Sequence, residues 1–197
     1  MSGSGSRPLG QRRAADRYLT PAPLARYLVG LLPELALSGR VLEPSCGAGA
    51  WMEAVWSTGW RGELLGVDIE PDPSVDLVAD FLRDEIPDGW DLVLGNPPYS
   101  LAEPFVRRSL ELVKVGGLVA FLLRLSFLES RARLPLWSEH RLDRVHVLAE
   151  RPSFTEDGRS DSAAYALFVW RRMAPHVQLR PHCPTALTVH SWRPHAR

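Results

Sequence analysis

The sequence lacks the features that mark membrane, secreted and disulfide-stabilised proteins. Its 197 residues contain no apolar run long enough to span a bilayer and no charged-then-apolar leader. Cysteine is scarce, and Cys46 and Cys183 alone give no disulfide framework, which agrees with a reducing compartment. These absences predict a soluble, cytoplasmic protein that has no membrane partner.

A metal-binding pattern is also missing. The carboxyl-terminal part holds several side chains that can ligate metals, but their spacing matches no zinc motif. These side chains are His176, His182, Cys183, His190 and His195. The sequence therefore predicts that the protein uses no metal.

Acidic residues are absent after Asp161, although the formal net charge of the chain is zero. Twelve acids lie between residues 43 and 91, where Arg61 and Arg83 are the basic residues. Basic ends can contact a polyanion, while the acidic middle can face a cationic or hydroxyl-rich ligand. Ends that are merely solvated by water are the alternative interpretation.

The length and the apolar content of 45% are sufficient for one sizeable core and one domain. We expect a flexible leader at residues 1–16, a folded domain at residues 17–172 and a basic tail at residues 173–197. The tail contains prolines and polar residues, which favour irregular structure with room for one short strand at residues 186–189.

Apolar runs and amphipathic stretches alternate along the domain. Seven strands are predicted, at residues 40–43, 62–67, 75–79, 92–95, 118–123, 142–148 and 163–170. Helices are predicted at residues 21–32, 51–56, 105–113 and 127–137, with Thr20 as the cap of the first. This alternation predicts an α/β fold in which a mostly parallel sheet carries helices on both faces. The segment that joins the sixth and seventh predicted strands has no room for a full helix, so the seventh strand should run antiparallel beside the sixth.

Polar or glycine-rich residues follow each of the first four predicted strands. A glycine-rich loop at residues 44–49 follows the first strand, Asp68 the second, Asp80 and Phe81 the third, and Asn96 the fourth. The carboxyl ends of parallel strands share one edge of a sheet, where nucleotides bind. Glycines allow the backbone to approach a ligand closely, and a carboxylate can accept hydrogen bonds from ribose hydroxyls.

The run Asn96-Pro97-Pro98-Tyr99 can hold a planar amine. Neither proline donates a backbone hydrogen bond, and Pro97 forces Asn96 into an extended conformation. The Asn96 side chain and the Pro97 carbonyl can then accept both hydrogens of an amine while Tyr99 stacks on its ring. An ordinary proline turn is the alternative that these four residues alone leave open.

Four segments together resemble the class I S-adenosylmethionine-dependent methyltransferases: residues 41–49, Asp68, residues 79–81 and residues 91–99. The sequence is most similar to adenine-N6 DNA methyltransferases of the gamma arrangement, in which a Thr-Pro helix precedes the glycine loop. The resemblance implies a Rossmann-like, seven-stranded, mostly parallel sheet. It also implies S-adenosylmethionine as cofactor, S-adenosylhomocysteine as product, and a nucleic acid, DNA first of all, as substrate.

The resemblance also assigns cofactor roles to individual residues. Thr20 and Pro21 would lie near the methionine part, and Glu43 and the loop at residues 46–49 would face its amino and carboxylate groups. The assigned positions are Thr20, Pro21, Glu43, Pro44, Cys46, Gly47, Ala48, Gly49, Asp68, Ile69, Asp80, Phe81 and Asn96.

The adenosine half of the cofactor is assigned to the second and third strand ends. By the resemblance, Asp68 would bind the ribose and Ile69 would lie against the adenine. Asp80 and Phe81 would hold the amino group and the face of that ring.

On the substrate side, the resemblance implies that Asn96, Pro97, Pro98 and Tyr99 form the catalytic loop, with Tyr99 stacked on the target base. Phe154 follows the sixth predicted strand, at the place where the relatives carry an aromatic residue that packs on the flipped base. An ordinary loop phenylalanine is the alternative for Phe154.

The sequence departs from the gamma enzymes after the seventh strand, where about 25 residues stand in place of a long target-recognition domain. We therefore expect loose specificity, a specificity partner or a homodimer. The same loop chemistry suits an RNA base amino-methyltransferase or a protein-glutamine N-methyltransferase, because those amines are planar too. A catalytically inactive protein that uses the cofactor fold to bind a partner is a further alternative.

Overall fold

The computed structural model describes residues 18–154, 162–174 and 186–192, and its framework is one mixed sheet. The strands are β1 Arg40–Glu43, β2 Glu63–Asp68, β3 Leu77–Val78, β4 Trp90–Gly95, β5 Val113–Arg124, β6 Arg141–Leu148, β7 Tyr165–Arg171 and β8 Ala186–His190. The helices are α1 Ala22–Gly30, α2 Ala50–Ser57, α3 Ala102–Leu112 and α4 Leu134–Glu139. Short 3-10 turns lie at Pro33–Leu37, Tyr99–Leu101, Leu125–Leu128 and Arg131–Arg133.

The strand order is β3-β2-β1-β4-β5-β7-β6-β8, with β1 to β5 parallel to one another. The prediction that the seventh strand is antiparallel beside the sixth is confirmed, and β7 also pairs antiparallel with β5. The strand count exceeds the seven predicted for the domain, because the short strand allowed at residues 186–189 is present as β8 and pairs in parallel with β6, from Arg144 opposite Ala186 to Leu148 opposite His190. The described part of the chain therefore contains eight strands.

Helices cover both faces of the sheet, as predicted. On one face α1 and α2 bury Leu24, Leu28, Trp51 and Val55 against the sheet. On the other face α3 packs Phe105 and its neighbours against the strands. Each such large apolar side chain contributes about 2 kcal/mol when it leaves water. None of the helices in the described ranges is long and apolar enough to cross a membrane.

Two predicted element ends are corrected. Pro21 occupies the capping position of α1 and no side chain caps this helix end. Thr20 is not the cap, because its Oγ1 atom accepts a 3.0 Å hydrogen bond from Trp51 Nε1. Helix α3 spans Ala102–Leu112 where residues 105–113 were predicted, and Val113 is instead the first residue of β5.

The single helix predicted at residues 127–137 is instead a pair of 3-10 turns followed by the short helix α4. Pro135 lies in the first turn of α4, where its missing N–H costs no hydrogen bond. A helix that began at Phe127 would place this proline in its interior, which is strongly unfavourable.

Candidate active site at the strand ends

The carboxyl ends of β2, β1 and β4 lie side by side at one edge of the sheet. Residue Glu43 at the end of β1 stands opposite Gly66 of β2, and Leu42 stands opposite Val93 of β4. The loops that follow these three strands therefore meet at one place. This is the edge where the sequence predicted a ligand site.

The loop between β1 and α2 depends on glycine at two positions. Gly47 and Gly49 have φ angles of 52° and 75°, in the left-handed region that other residues rarely adopt. A Cβ atom on Gly49 would also lie 2.8 Å from the Cβ atom of Ser74. The loop can therefore turn tightly into α2 only with glycine at residue 49.

The Asp68 carboxylate organises this loop. Its Oδ2 atom accepts a 2.9 Å hydrogen bond from the Gly47 backbone N–H, and its Oδ1 atom accepts one of 3.1 Å from Glu70. The side chain is 2% exposed, so both contacts are largely shielded from water. The sequence predicted a ribose ligand at this position and missed the contact with the loop.

Glu43 is a buried acid that faces the same space. It is 1% exposed, and its Oε2 atom has no hydrogen-bond partner among the described residues. Burial raises the pKa of Glu43 well above its usual value, and the nearby Asp68 charge raises it further against the effect of the Met52 backbone N–H. A cationic group placed beside Glu43 would favour the ionised carboxylate, so the site suits an ammonium group.

A cavity of about 280 Å³ lies between the amino-terminal segment, the glycine loop and the end of β4. It brings together eight of the residues assigned from the sequence: Thr20, Glu43, Cys46, Gly47, Ala48, Asp68, Asn96 and Pro98. Tyr18, Leu19, Ser45, Trp51 and Glu53 also line it, and the sequence did not single them out. Trp51 anchors Thr20 in this wall through its indole N–H.

Cys46 does not offer a nucleophile in this cavity. Burial raises the pKa of its thiol to about 12, and the neighbouring Glu43 and Asp68 charges act in the same direction. The thiol is therefore protonated at neutral pH, and a protonated thiol is a poor nucleophile. Its part in the site is to shape the wall.

The predicted adenine-binding residues border a second, much smaller cavity of about 30 Å³. Its walls include Pro44, Ile69, Asp80, Phe81 and Pro98. This cavity is partly open to solvent, and it brings the predicted adenine-binding residues together at the ends of neighbouring strands. Phe81 is 3% exposed and belongs to the apolar core. Pro21, Gly49, Pro97, Tyr99 and Phe154 line neither of these two cavities.

The Asn96 side chain is held in one orientation at the end of β4. Its Nδ2 atom donates a 3.0 Å hydrogen bond to the backbone carbonyl of Tyr18. Its Oδ1 atom is buried and has no hydrogen-bond partner among the described residues. Because an unpaired buried acceptor is costly, this oxygen is suited to receive a hydrogen from a ligand.

Tyr99 belongs to a cluster of aromatic rings beside the cavity. Its ring centroid lies 5.3 Å from that of Tyr18 and 5.6 Å from that of Tyr165, and the Arg124 guanidinium lies 5.0 Å from it. The Phe154 ring contacts both Tyr18 and Tyr165. Burial raises the pKa of Tyr99 far above that of a free phenol, so the hydroxyl stays protonated. Tyr99 therefore offers an aromatic surface and no base.

The strand order, the glycine loop and the strand-end cavity define the class. The chain has the fold of the class I S-adenosylmethionine-dependent methyltransferases, whose cofactor is S-adenosylmethionine. The residues present fit that cofactor, since the unpaired Oε2 atom of Glu43 can take its ammonium group and the cavity provides space beside the glycine loop.

Comparisons with known proteins agree with this class. No protein-family model matches the sequence. The Type II methyltransferase M.TthHB8I of Thermus thermophilus is 41% identical over 104 residues, which are 48% of this chain. The chain spans about a quarter of that relative, since the match covers 23% of its length.

Three solved structures share the fold. A proposed class I S-adenosylmethionine-dependent methyltransferase of Listeria monocytogenes has a TM-score of 0.67 at 15% identity, over 92% of this chain and 68% of that chain. A proposed RNA methyltransferase of Pyrococcus horikoshii has a TM-score of 0.64 at 13% identity, covering 87% and 95%. A modification subunit of a proposed type I restriction enzyme of Vibrio vulnificus has a TM-score of 0.59 at 18% identity, covering 82% and 46%.

Proposed function

We propose that the chain transfers the methyl group of S-adenosylmethionine to the exocyclic amine of adenine in DNA. The observation that carries this proposal is the Asn96 amide, whose buried Oδ1 atom lacks a partner while its Nδ2 atom is held by the Tyr18 carbonyl. An amide fixed in this way presents an acceptor to an incoming N–H group. The adjacent cavity can hold the methyl donor.

When bound, S-adenosylmethionine supplies a methyl group on a sulfonium, which is already a strong electrophile. Glu43 would pair with the ammonium group, and Asp68 would accept from a ribose hydroxyl while it holds Gly47. Asn96 Oδ1 and the Pro97 carbonyl would accept the two amine hydrogens. The nitrogen lone pair would then point into the cavity for in-line attack. Transfer would form the new N–C bond as the S–C bond breaks, and the amine would lose one proton to solvent.

Similarity favours DNA as the substrate. The relative with 41% identity is a Type II methyltransferase, and one structural neighbour is a modification subunit of a proposed restriction enzyme. A base within a duplex cannot reach Asn96, so it must be flipped out or arrive in a single strand. Tyr99 would then stack on the base and Phe154 would contact its edge.

A tritiated-methyl transfer assay tests this proposal on duplex DNA, single-stranded DNA, RNA and a protein extract, followed by nucleoside analysis. We expect label in N6-methyladenine from DNA. Equal incorporation into adenine-free DNA would contradict the proposal. Label in RNA or in glutamine would favour the corresponding alternative, and absence of S-adenosylmethionine binding in calorimetry would favour an inactive binding protein.

The remaining expectations belong to the same proposal. We place the catalytic domain at residues 17–172, in the cytoplasm, and expect a homodimer or a specificity partner. Within the proposed tail, residues 186–190 form β8 and thus extend the sheet. Sedimentation of the purified protein, alone and with DNA, tests the oligomeric state.

A further inference from the structure

The ring of Tyr18 makes the contacts that the proposed function reserves for a target base. It stacks on Tyr99, with centroids 5.3 Å apart and planes at 29°. It also meets Phe154 edge-on, with centroids 5.5 Å apart and planes at 64°. Offset stacking and edge-to-face packing at these distances are the favoured aromatic geometries. Tyr99 and Phe154 are the two residues that the resemblance assigns to the target ring.

A continuous set of side chains completes the slot around this ring. Tyr165 is fully buried and lies behind Tyr99 and Phe154, with centroids 5.6 Å and 5.1 Å from theirs. The Arg124 guanidinium lies 5.9 Å from the Tyr18 ring and donates a 3.3 Å hydrogen bond to the Tyr165 hydroxyl. The rings of Tyr99 and Phe154 thus form two walls of the slot and the Tyr165 ring forms its floor. The Arg124 guanidinium lies at one side.

The backbone of Tyr18 is attached to the catalytic loop as well. Its carbonyl accepts the 3.0 Å hydrogen bond from Asn96 Nδ2, so ring and carbonyl both contact residues of that loop. Two residues later, Thr20 is anchored separately by Trp51. The Tyr18 ring can therefore leave the slot by rotation about its Cα–Cβ bond while its carbonyl and Thr20 stay in place.

We propose that the slot between Tyr99, Phe154 and Tyr165 is the target-ring site, and that Tyr18 closes it until a planar, amine-bearing ring displaces the tyrosine. This inference rests on the proposed function and deepens it. Tyr18 covers the aromatic rings of Tyr99 and Phe154 before substrate arrives. It also imposes a size and shape requirement, since the incoming ring must replace an aromatic ring on the same two walls.

The displacement lowers the apparent affinity for substrate, because binding requires the state in which Tyr18 is outside the slot. Replacement of Tyr18 by alanine removes this competitor. We expect about tenfold tighter binding of oligo(dA), which corresponds to about 1.4 kcal/mol. Binding of an oligomer of the same length without bases should stay unchanged, because it brings phosphates and no ring.

The binding test uses fluorescence anisotropy of the full chain saturated with S-adenosylhomocysteine. The variants are Tyr18→Ala, Tyr18→Phe, which keeps a ring, and Tyr27→Phe, a tyrosine on α1 outside the slot. The inference is supported if Tyr18→Ala alone binds oligo(dA) more tightly. Unchanged or weaker binding by Tyr18→Ala would overturn it, because weaker binding would make Tyr18 a wall for the substrate.

A second readout follows the rings directly. The chain has four tyrosines, so nuclear magnetic resonance of ring-labelled tyrosine resolves each of them after assignment with the two phenylalanine variants and Tyr99→Phe. Oligo(dA) should shift the Tyr18 signals towards those of an exposed ring. Tyr18 signals that stay unmoved at saturation would overturn the inference.

The failure of this inference differs from the failure of the proposed function. Displacement of Tyr18 by oligo(dA) without methyl transfer to DNA would support the slot and contradict the proposed activity. Methyl transfer to DNA with Tyr18 unmoved would support the activity and contradict the slot.

Discussion

At the scale of single residues, the two buried acids of the site differ in their hydrogen bonds and therefore in their expected roles. Asp68 is paired with backbone N–H groups from the glycine loop and from the following turn. Glu43 keeps one carboxylate oxygen unpaired, and burial favours its neutral form until a cation is present. We infer that Asp68 maintains the shape of the site and that Glu43 responds to the charge of its ligand.

Replacement of Asp68 by alanine should weaken S-adenosylmethionine binding by about 1–3 kcal/mol, the usual cost of an unpaired buried polar group. The variant loses a ribose acceptor and leaves the Gly47 N–H without its acceptor. Isothermal calorimetry measures the affinity, with Glu70→Ala, an exposed acid two residues away, as the control. An unchanged affinity would remove Asp68 from the cofactor site.

Asn96→Ala should abolish methyl transfer while the affinity for S-adenosylmethionine stays within about tenfold of the original. The amide acts on the target amine, and truncation removes the buried acceptor together with the bond to the Tyr18 carbonyl. Single-turnover kinetics and calorimetry on the same sample separate the two effects. Weaker cofactor binding at an unchanged rate would contradict the role given to Asn96.

At the scale of secondary-structure elements, β8 is joined to β6 by a histidine pair. The Nδ1 atom of His146 lies 2.8 Å from the Thr188 hydroxyl and 3.0 Å from His190 Nε2. Burial is the main reason that the pKa of His146 falls to about 4, and His190 and Arg144 lower it further against the effect of Glu34. The neutral ring is therefore the form that holds β8.

The stability of the protein should depend on pH through His146. Its pKa is lower in the folded state than the ordinary value of about 6.5, so the unfolded chain binds more protons between these values. The neutral His146 ring makes its full contribution to the free energy of unfolding above about pH 6.5. This contribution is lost as the pH falls towards 4, and the loss is at most about 3 kcal/mol. Denaturant unfolding across this range measures the change.

The control for this prediction is His146→Gln, whose unfolding free energy should vary less between pH 6.5 and pH 4. Hydrogen exchange of residues 186–190 should also accelerate at the lower pH in the original protein. An identical pH profile for both proteins would assign the acid sensitivity to other groups.

Elements buried on both faces could be predicted from the sequence, whereas the pairing of strands at the edge of the sheet could not. Residues 118–123 read as a continuous apolar run and form the fully buried part of β5. Four of the five residues of β8 are exposed, so the sequence allows a short strand at residues 186–189 without indicating which strand it pairs with. Its pairing with β6 is a backbone contact that depends on the folded partner.

The candidate site likewise has features that the sequence predicts and features that it does not. The order of strand-end motifs predicted which residues surround the cavity, because parallel strands bring their carboxyl ends to one edge. The hydrogen bond from Gly47 to Asp68 joins residues 21 positions apart, and that from Asn96 to Tyr18 joins residues 78 positions apart. Contacts over such separations depend on the complete fold, so no local pattern indicates them.

At the scale of the whole molecule, the basic charge is almost entirely arginine, with Lys114 as the single lysine. Arginine presents a planar fork that matches phosphate geometry in two hydrogen bonds. The basic ends of the sequence lie largely outside the described residues, and their contact with a polyanion stays a prediction.

The salt dependence of DNA binding measures that contact. Each phosphate neutralised by arginine contributes about 0.9 to the slope of log K against log salt concentration. Substitution of Arg7, Arg12 and Arg13 by alanine should therefore lower the magnitude of the slope by about 3. Arg61→Ala, in the acidic part of the sequence, serves as the control and should leave it unchanged. An unaltered slope in the triple variant would favour the solvated-end interpretation.

The position of β7 between β5 and β6 has a consequence for synthesis on the ribosome. Strands β1 to β5 can assemble in the order in which they are made, since each strand after β1 finds one neighbour among the earlier strands. Strand β6 leaves the ribosome before β7, which supplies its antiparallel partner, and β8 can pair only after that. The nascent chain therefore carries an unpaired β6 until Tyr165–Arg171 emerge, and this interval is when aggregation and chaperone binding compete with folding.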